Sequence, residues 1–452
     1  MSHVGLGRAK GFFRGLAYAT QICGLFAATS FSPAFAADSI VAVDARVEEG
    51  KGTSSLIFYL SHPAQASAFV LADPQRVVVD LPEINFQTDP VASKPLPARK
   101  VGSQGRGALR HPDNAAAASL IKAYRFGLLG PGRSRIVIDL SNPARIVRAT
   151  SERIGQGEAS KLVIELAGTD LASFRAAADT ASSAEAAIRD NSVPLPVKTA
   201  GDSALPLIVV DPGHGGIDAG ASSAAGAIEK SIVFDFAKVL AAKLESGGHY
   251  RVLLTRRDDS FVSLGERVQV ARNNHAALFL SIHADTLAAT QEVQGATIYT
   301  LAETASDAEA AKVADKENQA DALAGVVARE EAGELNDILF DLTRRETRAY
   351  SHLFARTLVG VWQSAGRLNK NPQREAGFKV LRAPDVPSVL IELGYLSSTN
   401  DVAELISPQW RDKAAETIAL SVGRFFNSRS AEEARANAPI APASALAGSV
   451  LP

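Results

Sequence analysis

The C-terminal half of the chain alternates continuous apolar runs with segments whose apolar residues recur every three or four positions. Residues 207–210 form an uninterrupted apolar run that ends at Asp211, which is typical of a buried strand. Between residues 232 and 244 the apolar positions fall on one face of a helix. Further strand-like runs are residues 252–255, 277–282 and 389–391. The alternation predicts an α/β domain over residues 205–427, with a mostly parallel sheet and helices on both of its faces.

The N-terminal part of the chain shows a different pattern, with short runs rich in Val and Ile between Pro, Gly and Asn. These runs are residues 56–60, 76–82, 135–140 and 161–166. Runs of this length, bounded by turn residues, predict an all-β, sandwich-like module over residues 40–174. Residues 88–118, which are rich in Pro, Gly and Ala, are expected to form a long loop within it.

Two further segments consist mostly of small and polar residues and show little apolar periodicity. Residues 175–204 are dominated by Ala, Ser, Asp and Pro, and we expect them to link the two domains. Residues 428–452 have the same character, and we expect a disordered tail there. The length of 452 residues agrees with two domains plus linkers.

Residues 1–36 are predicted to be a signal peptide. A basic stretch precedes a mostly apolar run over residues 15–31, and a small-residue site at 34–36 would release the chain before Ala37. The basic residues are Arg8, Lys10 and Arg14. A membrane anchor is the alternative, but the apolar run is short and interrupted, whereas a span needs about 20 mostly apolar residues. We therefore expect export, with no stable membrane anchor after cleavage.

Charge and cysteine content restrict the possible functions. The net charge of −2 argues against a nucleic-acid partner, because such proteins need a dominant basic surface. The single cysteine, Cys23, lies in the predicted signal peptide. The mature protein would then lack disulfides, a cysteine nucleophile and thiolate metal ligands. Any metal must bind His, Asp or Glu.

Residues that could carry chemistry lie just after the predicted strands. His214 follows the first strand, His283 ends the strand that begins near residue 277, and Glu392 ends the run at 389–391. Glu229 begins the helix after the first strand. In open α/β sheets the ligand crevice lies beyond the carboxyl ends of the strands. Three of these side chains are therefore expected at one rim of the sheet.

Two imidazoles and a carboxylate form a three-ligand zinc set that leaves a fourth position for water. A further carboxylate is then needed to move protons, and Glu392 is free for that role. Each residue also has a structural alternative, since His283 could be a structural histidine and Glu229 suits the first turn of a helix. Residues 213–216 could also bind phosphate, but they lack the spacing of phosphate loops.

Residues 208–397 resemble the zinc-dependent N-acetylmuramoyl-L-alanine amidases of the type 3 amidase family. The matching segments are VVDPGHGG (209–216), EK (229–230), LTR (254–256), SIHAD (281–285) and PSVLIELGYLS (387–397). The resemblance implies that His214, Glu229 and His283 bind zinc and that Glu392 is catalytic. It also implies cleavage of the amide bond between N-acetylmuramic acid and L-alanine of the peptidoglycan stem peptide.

The β module more weakly resembles the AMIN domain that precedes the catalytic domain in cell-division amidases. This resemblance rests on FVLADPQRVVVDL (69–81). It implies targeting to peptidoglycan or to the division septum, with the chain in the periplasm and a role in septal splitting during cell division.

The segment between Leu301 and Ser351 is much longer than a simple connection in an α/β domain requires. Its composition predicts helix, and we place an insertion at residues 303–345. An extra surface hairpin is one explanation. The resemblance offers another, because division amidases carry here a helix that blocks the zinc site until an activator displaces it. The activator expected for this chain is of the LytM-domain type.

In that family a glutamate on the blocking helix reaches the metal. The closest local match is Lys316-Glu317-Asn318, so Glu317 is the autoinhibitory candidate. The alternatives are Glu309, Glu330 and Glu331. An apolar stripe on the insertion is a candidate landing surface for the activator. It consists of Leu335, Ile338, Leu339 and Leu342.

Two other functions remain open from the residues alone. The ligand set also suits a zinc peptidase that acts within the stem peptide. A non-catalytic wall-binding regulator is the second alternative, although all four expected site residues are present. The histidines His249 and His275 match no motif, and we expect both at the surface.

Overall fold

The computed structural model of the chain describes residues 39–87, 119–190, 205–287, 293–326 and 338–436. Several expectations concern residues outside these ranges and are not tested by the structure. They are the signal peptide with Cys23, the loop over residues 88–118, residues 191–204 of the linker, residues 437–452 of the tail, and Glu330, Glu331 and Leu335 of the insertion.

The N-terminal domain consists of two β-sheets whose inward-facing side chains form one core. Its strands are β1 (Ile40–Glu49), β2 (Thr53–Leu60), β3 (Ser67–Leu71), β4 (Arg76–Pro82), β5 (Ile84–Phe86), β6 (Ile121–Gly130), β7 (Arg133–Leu140), β8 (Ala144–Arg153) and β9 (Ser160–Gly168). The sheets have the orders β5-β1-β2-β9-β8 and β3-β4-β7-β6. Strand alternation places Val77 and Val79 in the shared core and Val78 on the opposite face of the second sheet.

A helix follows β9 where the sequence pattern suggested a linker. Helix α1 (Leu171–Asp190) extends well into the segment that we expected to be irregular from residue 175. Phe174 and Ala178 are buried in the core of the N-terminal domain, because residues four apart lie on the same face of a helix. The helix therefore begins before the segment that we expected to link the two domains and continues into it.

The C-terminal domain is built on a six-stranded sheet of order β11-β10-β12-β15-β13-β14. Its strands are β10 (Leu207–Pro212), β11 (Arg251–Leu254), β12 (Leu278–His283), β13 (Ala296–Leu301), β14 (Leu368–Ala376) and β15 (Ser388–Glu392). The neighbours β11, β10, β12 and β15 are parallel, whereas β13 is antiparallel to β15. The predicted fold class, a β-rich module followed by an α/β domain with a mostly parallel sheet, is confirmed.

Helices cover both faces of this sheet, as its continuous apolar strands require. Helices α2 (Glu229–Ser246), α6 (Ile338–Trp362) and α8 (Pro408–Ala436) share a core with one face. Helices α3 (Leu264–Asn273) and α4 (Ala308–Glu317) pack on the other face. The short elements are α5 (Ala320–Leu323), α7 (Thr399–Leu405) and a 3₁₀ turn at Lys379–Leu381. No helix within the described ranges is long and apolar enough to cross a membrane.

The last helix extends beyond the point at which we expected the disordered tail to begin. Helix α8 extends to Ala436, so the segment after residue 428 begins as helix rather than as a disordered tail. The buried side chain of Phe425 anchors its preceding turns in the core, and good helix formers such as Ala, Glu and Arg continue it.

Candidate metal centre

Strands β10, β12 and β15 end side by side, with three candidate residues at or just beyond their carboxyl ends. His283 is the last residue of β12 and lies opposite Glu392, the last residue of β15. His214 follows β10 by two residues, in a turn where the Gly213 N–H donates to the Ile282 carbonyl at 3.0 Å. The structure thus brings the three side chains to one rim of the sheet.

The turn after β10 places the two imidazoles close together. His214 has a φ of 56°, a left-handed conformation that is uncommon outside glycine and often marks a functional site. A Cβ on Gly213 would lie 2.4 Å from Cε1 of His283, so only glycine fits between the two rings. Arg267 donates to the carbonyls of Pro212 at 2.9 Å and His214 at 2.8 Å, which holds the turn in place.

A buried ion pair supports this arginine. The fully buried Asp211 accepts hydrogen bonds from Nη1 of Arg267 at 2.7 Å and from the Ser281 hydroxyl at 2.8 Å. Burial alone would raise the pKa of Asp211, but Arg267, Thr255 and Ser281 together hold that pKa below its ordinary value. The ionised carboxylate therefore fixes the guanidinium that holds the turn.

Four donor atoms converge in front of this rim. Nε2 of His214 lies 3.1 Å from Oε1 of Glu229 and 3.6 Å from Oε2 of Glu317. Nδ1 of His283 lies 3.3 Å from the same oxygen of Glu229 and 3.2 Å from that of Glu317. Tetrahedral zinc with bonds of about 2.0–2.1 Å separates its ligand atoms by about 3.3–3.4 Å. These four distances are close to those expected between the ligand atoms of a tetrahedral zinc site, and we call the four atoms the cage. Ligand atoms of His214, His283 and Glu317 all lie within 4.8 Å of one another, so these three residues form a group that could hold a metal ion.

The hydrogen bonding of these side chains also fits a metal ion. Within the described ranges, Nε2 of His214 and Nδ1 of His283 are buried without a hydrogen-bond partner, which is costly unless another group binds them. Two backbone groups fix the carboxylate of Glu229, since the N–H groups of Ala221 and Ala284 each donate to it at 2.8 Å. A zinc ion among the four atoms would satisfy both ring nitrogens.

Asp218 orients His214, although the sequence analysis did not single it out. Its Oδ2 lies 2.8 Å from Nδ1 of His214, and its Oδ1 accepts from the Gly220 N–H at 3.1 Å. Metal-binding histidines commonly bond a carboxylate through the second ring nitrogen, which here leaves Nε2 for the metal. The available sequence signal is an acidic residue four positions after a histidine in a glycine-rich segment.

The surrounding carboxylates also alter the protonation of His214. Burial would lower the pKa of this ring, but Asp218, Glu229 and Glu317 raise it well above its ordinary value. A histidine must be neutral to bind a metal. Protonation of His214 would therefore oppose metal binding.

Glu392 is fully buried beside His283 and keeps one oxygen free. Its Oε2 accepts from the Asp285 N–H at 2.9 Å, whereas its Oε1 has no hydrogen-bond partner in the described part of the chain. Burial, followed by the charges of Asp285, Glu229 and Glu317, raises the pKa of Glu392 well above its ordinary value. A free oxygen and a raised pKa suit a group that takes up and returns a proton.

The insertion contributes the fourth corner of the cage. Glu317 ends α4 and is only 4% exposed, with its carboxylate facing both histidines. The preceding residue, Lys316, forms an ion pair with the buried Asp285. Glu309 lies at the other end of α4 and pairs with Arg374 at 2.6 Å. Among the described glutamates of the insertion, the structure therefore places Glu317 and not Glu309 at the centre.

The remaining candidates lie outside the centre. His249 and His275 are both exposed. Leu342 is 55% exposed, while the side chains of the other three residues of the apolar stripe are not among those that the structure describes.

Comparison with known proteins adds family relationships. Residues 208–424 match the N-acetylmuramoyl-L-alanine amidase family, and residues 43–166 match the AMIN domain. The N-acetylmuramoyl-L-alanine amidase AmiC of Escherichia coli O6:H1 is 28% identical over 371 residues, covering 79% of this chain and 83% of the relative. The solved amidase AmiC2 of Nostoc punctiforme is 27% identical, with a TM-score of 0.36, and covers 49% of this chain and 97% of its own.

A further relative is the N-acetylmuramoyl-L-alanine amidase AmiC of Neisseria meningitidis serogroup B. It is 32% identical over 372 residues, which cover 80% of this chain and 84% of the relative. The resemblance drawn from the sequence motifs is thereby confirmed, and the chain belongs to the N-acetylmuramoyl-L-alanine amidase family, with an AMIN domain ahead of its catalytic domain.

Proposed function

We propose that this chain cleaves the amide bond between N-acetylmuramic acid and L-alanine of the peptidoglycan stem peptide, with zinc bound by His214, Glu229 and His283. One observation carries the proposal: two imidazole nitrogens, which have no hydrogen-bond partner among the described residues, lie 3.1–3.6 Å from two carboxylate oxygens, close to the ligand spacing of zinc. Membership of the amidase family supports the substrate class.

The residues around the cage prepare it for hydrolysis. Zinc bound there supplies Lewis-acid chemistry, which polarises a carbonyl oxygen and lowers the pKa of water to about 7. Asp218 fixes the ring orientation of His214 through its 2.8 Å contact. Two backbone N–H groups hold Glu229, so the ligand set is preorganised.

Glu392 is the proposed proton carrier. Its Oε1 has no hydrogen-bond partner among the described residues and can accept a proton from the attacking water and return one to the leaving L-alanine amine. Glu392→Gln keeps the shape of the side chain and an oxygen for the Asp285 N–H, but it removes the basic oxygen. We expect metal content to persist and sacculus hydrolysis to fall about 10²- to 10⁴-fold. Cleavage near the native rate would exclude this role.

Glu317 is proposed to hold the enzyme inactive. Its Oε2 lies 3.6 Å from Nε2 of His214 and 3.2 Å from Nδ1 of His283, so it would compete with water for a zinc ion bound there. An activator, which we propose is of the LytM-domain type, would have to favour the displaced insertion over the docked one. The stripe that includes Leu342 is the proposed landing surface.

We further propose that the chain acts in the periplasm and is enriched at the division septum. The basic and apolar pattern of residues 1–36 supports export. The match of residues 43–166 to the AMIN domain supports targeting to the cell wall.

The test is digestion of purified sacculi by the mature chain, comparing the wild type with Glu317→Ala and with His214→Ala and His283→Ala. Amidase activity predicts glycan strands free of peptide together with stem peptides that carry a new L-alanine amino terminus. We expect about one zinc per chain, lost when both histidines are replaced. Stoichiometric zinc in that double variant would overturn the ligand assignment.

The same experiment separates the alternatives. Fragments cut within the stem peptide would identify a zinc peptidase, and binding to sacculi without products from any variant would identify a non-catalytic wall-binding protein. Either result would replace the proposed activity.

A further inference from the structure

The outward face of the sheet β3-β4-β7-β6 contacts the insertion just beyond Glu317. Three arginines on this face come from adjacent strands: Arg76 begins β4, Arg135 lies on β7 and Arg125 lies on β6. All three donate hydrogen bonds to backbone carbonyls of residues 322–325, at the end of α5. We call this surface the arginine face.

The contacts of the arginine face match what the end of a helix leaves unpaired. Nη1 of Arg125 donates to the Leu323 carbonyl at 2.8 Å, and Nη1 of Arg135 donates to the Gly325 carbonyl at 2.8 Å. The last carbonyls of a helix have no partner within that helix and must find one elsewhere. Here the arginines of the N-terminal domain supply that partner, and their guanidinium groups are charged donors.

Carboxylates of the same sheet hold these arginines in position. Asp80 accepts from Nη2 of Arg135 at 2.8 Å, and Asp139 accepts from Nε of Arg76 at 3.0 Å. Asp139 also pairs with Arg125. The guanidinium groups are therefore fixed by the N-terminal domain itself, which lowers the entropy lost when they bind the insertion.

An apolar contact accompanies the polar one. Val78 and Val137 on the sheet, Ala324 in the insertion, and Ile217 and Phe261 in the catalytic domain form one buried cluster. Three parts of the chain thus meet in one apolar cluster. Ile217 lies in the segment that follows His214, so this junction is close to the cage along the chain.

Gly325 permits the close approach. It has a φ of 66°, and a Cβ there would lie 2.9 Å from Cγ2 of Val78 and 3.2 Å from Cγ2 of Val137. A larger residue would both strain the backbone and push the insertion away from the sheet. Glycine at this position is what lets the segment lie flat on the sheet.

A short hydrogen-bonded stretch connects the arginine face to the cage. Glu317 ends α4, and α5 begins at Ala320. Between them the Gln319 N–H donates to the Lys316 carbonyl at 3.1 Å, and the Leu323 N–H donates to the Gln319 carbonyl at 2.8 Å. This stretch joins the arginine face to the cage. The catalytic domain also contacts it, since the Leu264 N–H donates to Asp321 at 2.9 Å and the Lys379 N–H donates to Asn318 at 2.7 Å.

We infer that the arginine face is a latch, through which the N-terminal domain holds the insertion in its blocking position. The inference rests on the proposed function of Glu317 as the group that blocks the cage. Contacts made only in the blocked state reduce the population of the open state. Because a hydrogen bond from a charged group shifts such an equilibrium by about 10- to 100-fold, losing one arginine should raise the open population by that factor.

The test measures dye release from labelled sacculi by the full mature chain without any partner protein. Arg125→Met and Arg135→Met remove donors and keep an apolar stem, and Gly325→Ala acts from the opposite side of the contact. Arg148→Met is the matched control, because Arg148 lies on β8 in the other sheet and pairs there with Glu165 at 2.8 Å. Hydrogen exchange over residues 308–326 reports release of the insertion directly.

We expect Arg125→Met, Arg135→Met and Gly325→Ala each to raise basal dye release about tenfold or more and to speed exchange over residues 308–326. Arg148→Met should change neither measurement. Arg125 lies on the edge strand β6 and is 21% exposed, so its replacement tests the latch even if Arg135→Met does not fold.

Glu317→Ala distinguishes a failure of the latch from a failure of the proposed blocking role of Glu317. If Glu317→Ala raises basal release while Arg125→Met and Gly325→Ala leave release and exchange unchanged, the latch is refuted and the blocking role of Glu317 stands. If Glu317→Ala itself leaves basal release at the wild-type value, the proposed blocking role fails. Faster exchange in the arginine variants would then still support the latch as a docking contact.

Discussion

Replacing Asp211 with alanine tests whether the turn that carries His214 depends on one buried ion pair. Asp211 is fully buried, and its partner Arg267 is only 3% exposed. The arginine also donates to the carbonyls of Pro212 and His214. Asp211→Ala would leave a guanidinium buried without its counter-charge in the middle of the catalytic domain.

The expected loss of stability follows from this burial. Removing one member of a buried pair costs about 3–5 kcal/mol, because the remaining charge is uncompensated. With a urea dependence of about 1–3 kcal/mol per molar, the unfolding midpoint should fall by at least about 1 M. The matched control is Asp235→Ala, since Asp235 is 49% exposed and its partners Lys238 and Arg411 are 53% and 19% exposed. That change should cost about 1 kcal/mol or less.

The assay can follow the catalytic domain alone. Both tryptophans of the chain, Trp362 and Trp410, lie in α6 and α8. Tryptophan fluorescence during urea unfolding therefore reports the domain that contains Asp211, even if the N-terminal domain unfolds separately. Measurements with excess chelator remove any contribution from bound metal.

The pH dependence gives a second check on the same pair. Because the folded pKa of Asp211 is lowered, its stabilising contribution is present above the unfolded pKa of about 3.9 and is lost as pH falls through the folded pKa. The difference between wild type and Asp211→Ala should therefore be full at neutral pH and shrink below about pH 4. A midpoint shift equal to that of Asp235→Ala at neutral pH would refute the reasoning.

Three further predictions concern the cage and the insertion. Asp218→Asn should weaken zinc binding about 10- to 100-fold in chelator competition, because His214 loses its orienting carboxylate; unchanged affinity would contradict that role. Zinc affinity should fall on acidification through the raised pKa of His214, because protons compete with the metal for the ring nitrogen. A constant affinity between about pH 8 and pH 5 would show that zinc and protons do not compete at His214. Lys316→Met should raise basal sacculus hydrolysis, because the blocked state would then bury Asp285 without its cation. Basal dye release equal to that of the wild type would show that this ion pair does not hold the insertion.

The sequence predicts the rim of the site well because a parallel sheet leaves little freedom. Once residues 207–210, 277–282 and 389–391 are recognised as buried strands, their carboxyl ends must lie together. His283 and Glu392 are then neighbours in register. The geometry of the fold, rather than any property of the individual side chains, makes this part predictable.

Other features depend on contacts between segments that are distant in the sequence, and local patterns carry no trace of them. Asp218 gains its role only because the chain turns back at His214, whose positive φ no periodicity reports. Among the described side chains of helix α1, Phe174 and Ala178 are the ones buried in the domain core, and two positions do not produce a recognisable pattern. The contact of Arg125 with the Leu323 carbonyl joins two domains and depends on how they pack.

The contacts of the insertion also determine what an activator must achieve. The contacts that hold the blocking segment include the pair of Lys316 with Asp285 inside the site and the arginine face outside it. A partner that contacts only one end leaves the other set of contacts in place, so its binding energy must exceed both. To move an equilibrium from 1:99 to 99:1, a partner must prefer the open state about 10⁴-fold. A partner that engages the exposed surface near Leu342 meets this requirement only if the surface it binds is available in the open state and not in the blocked one.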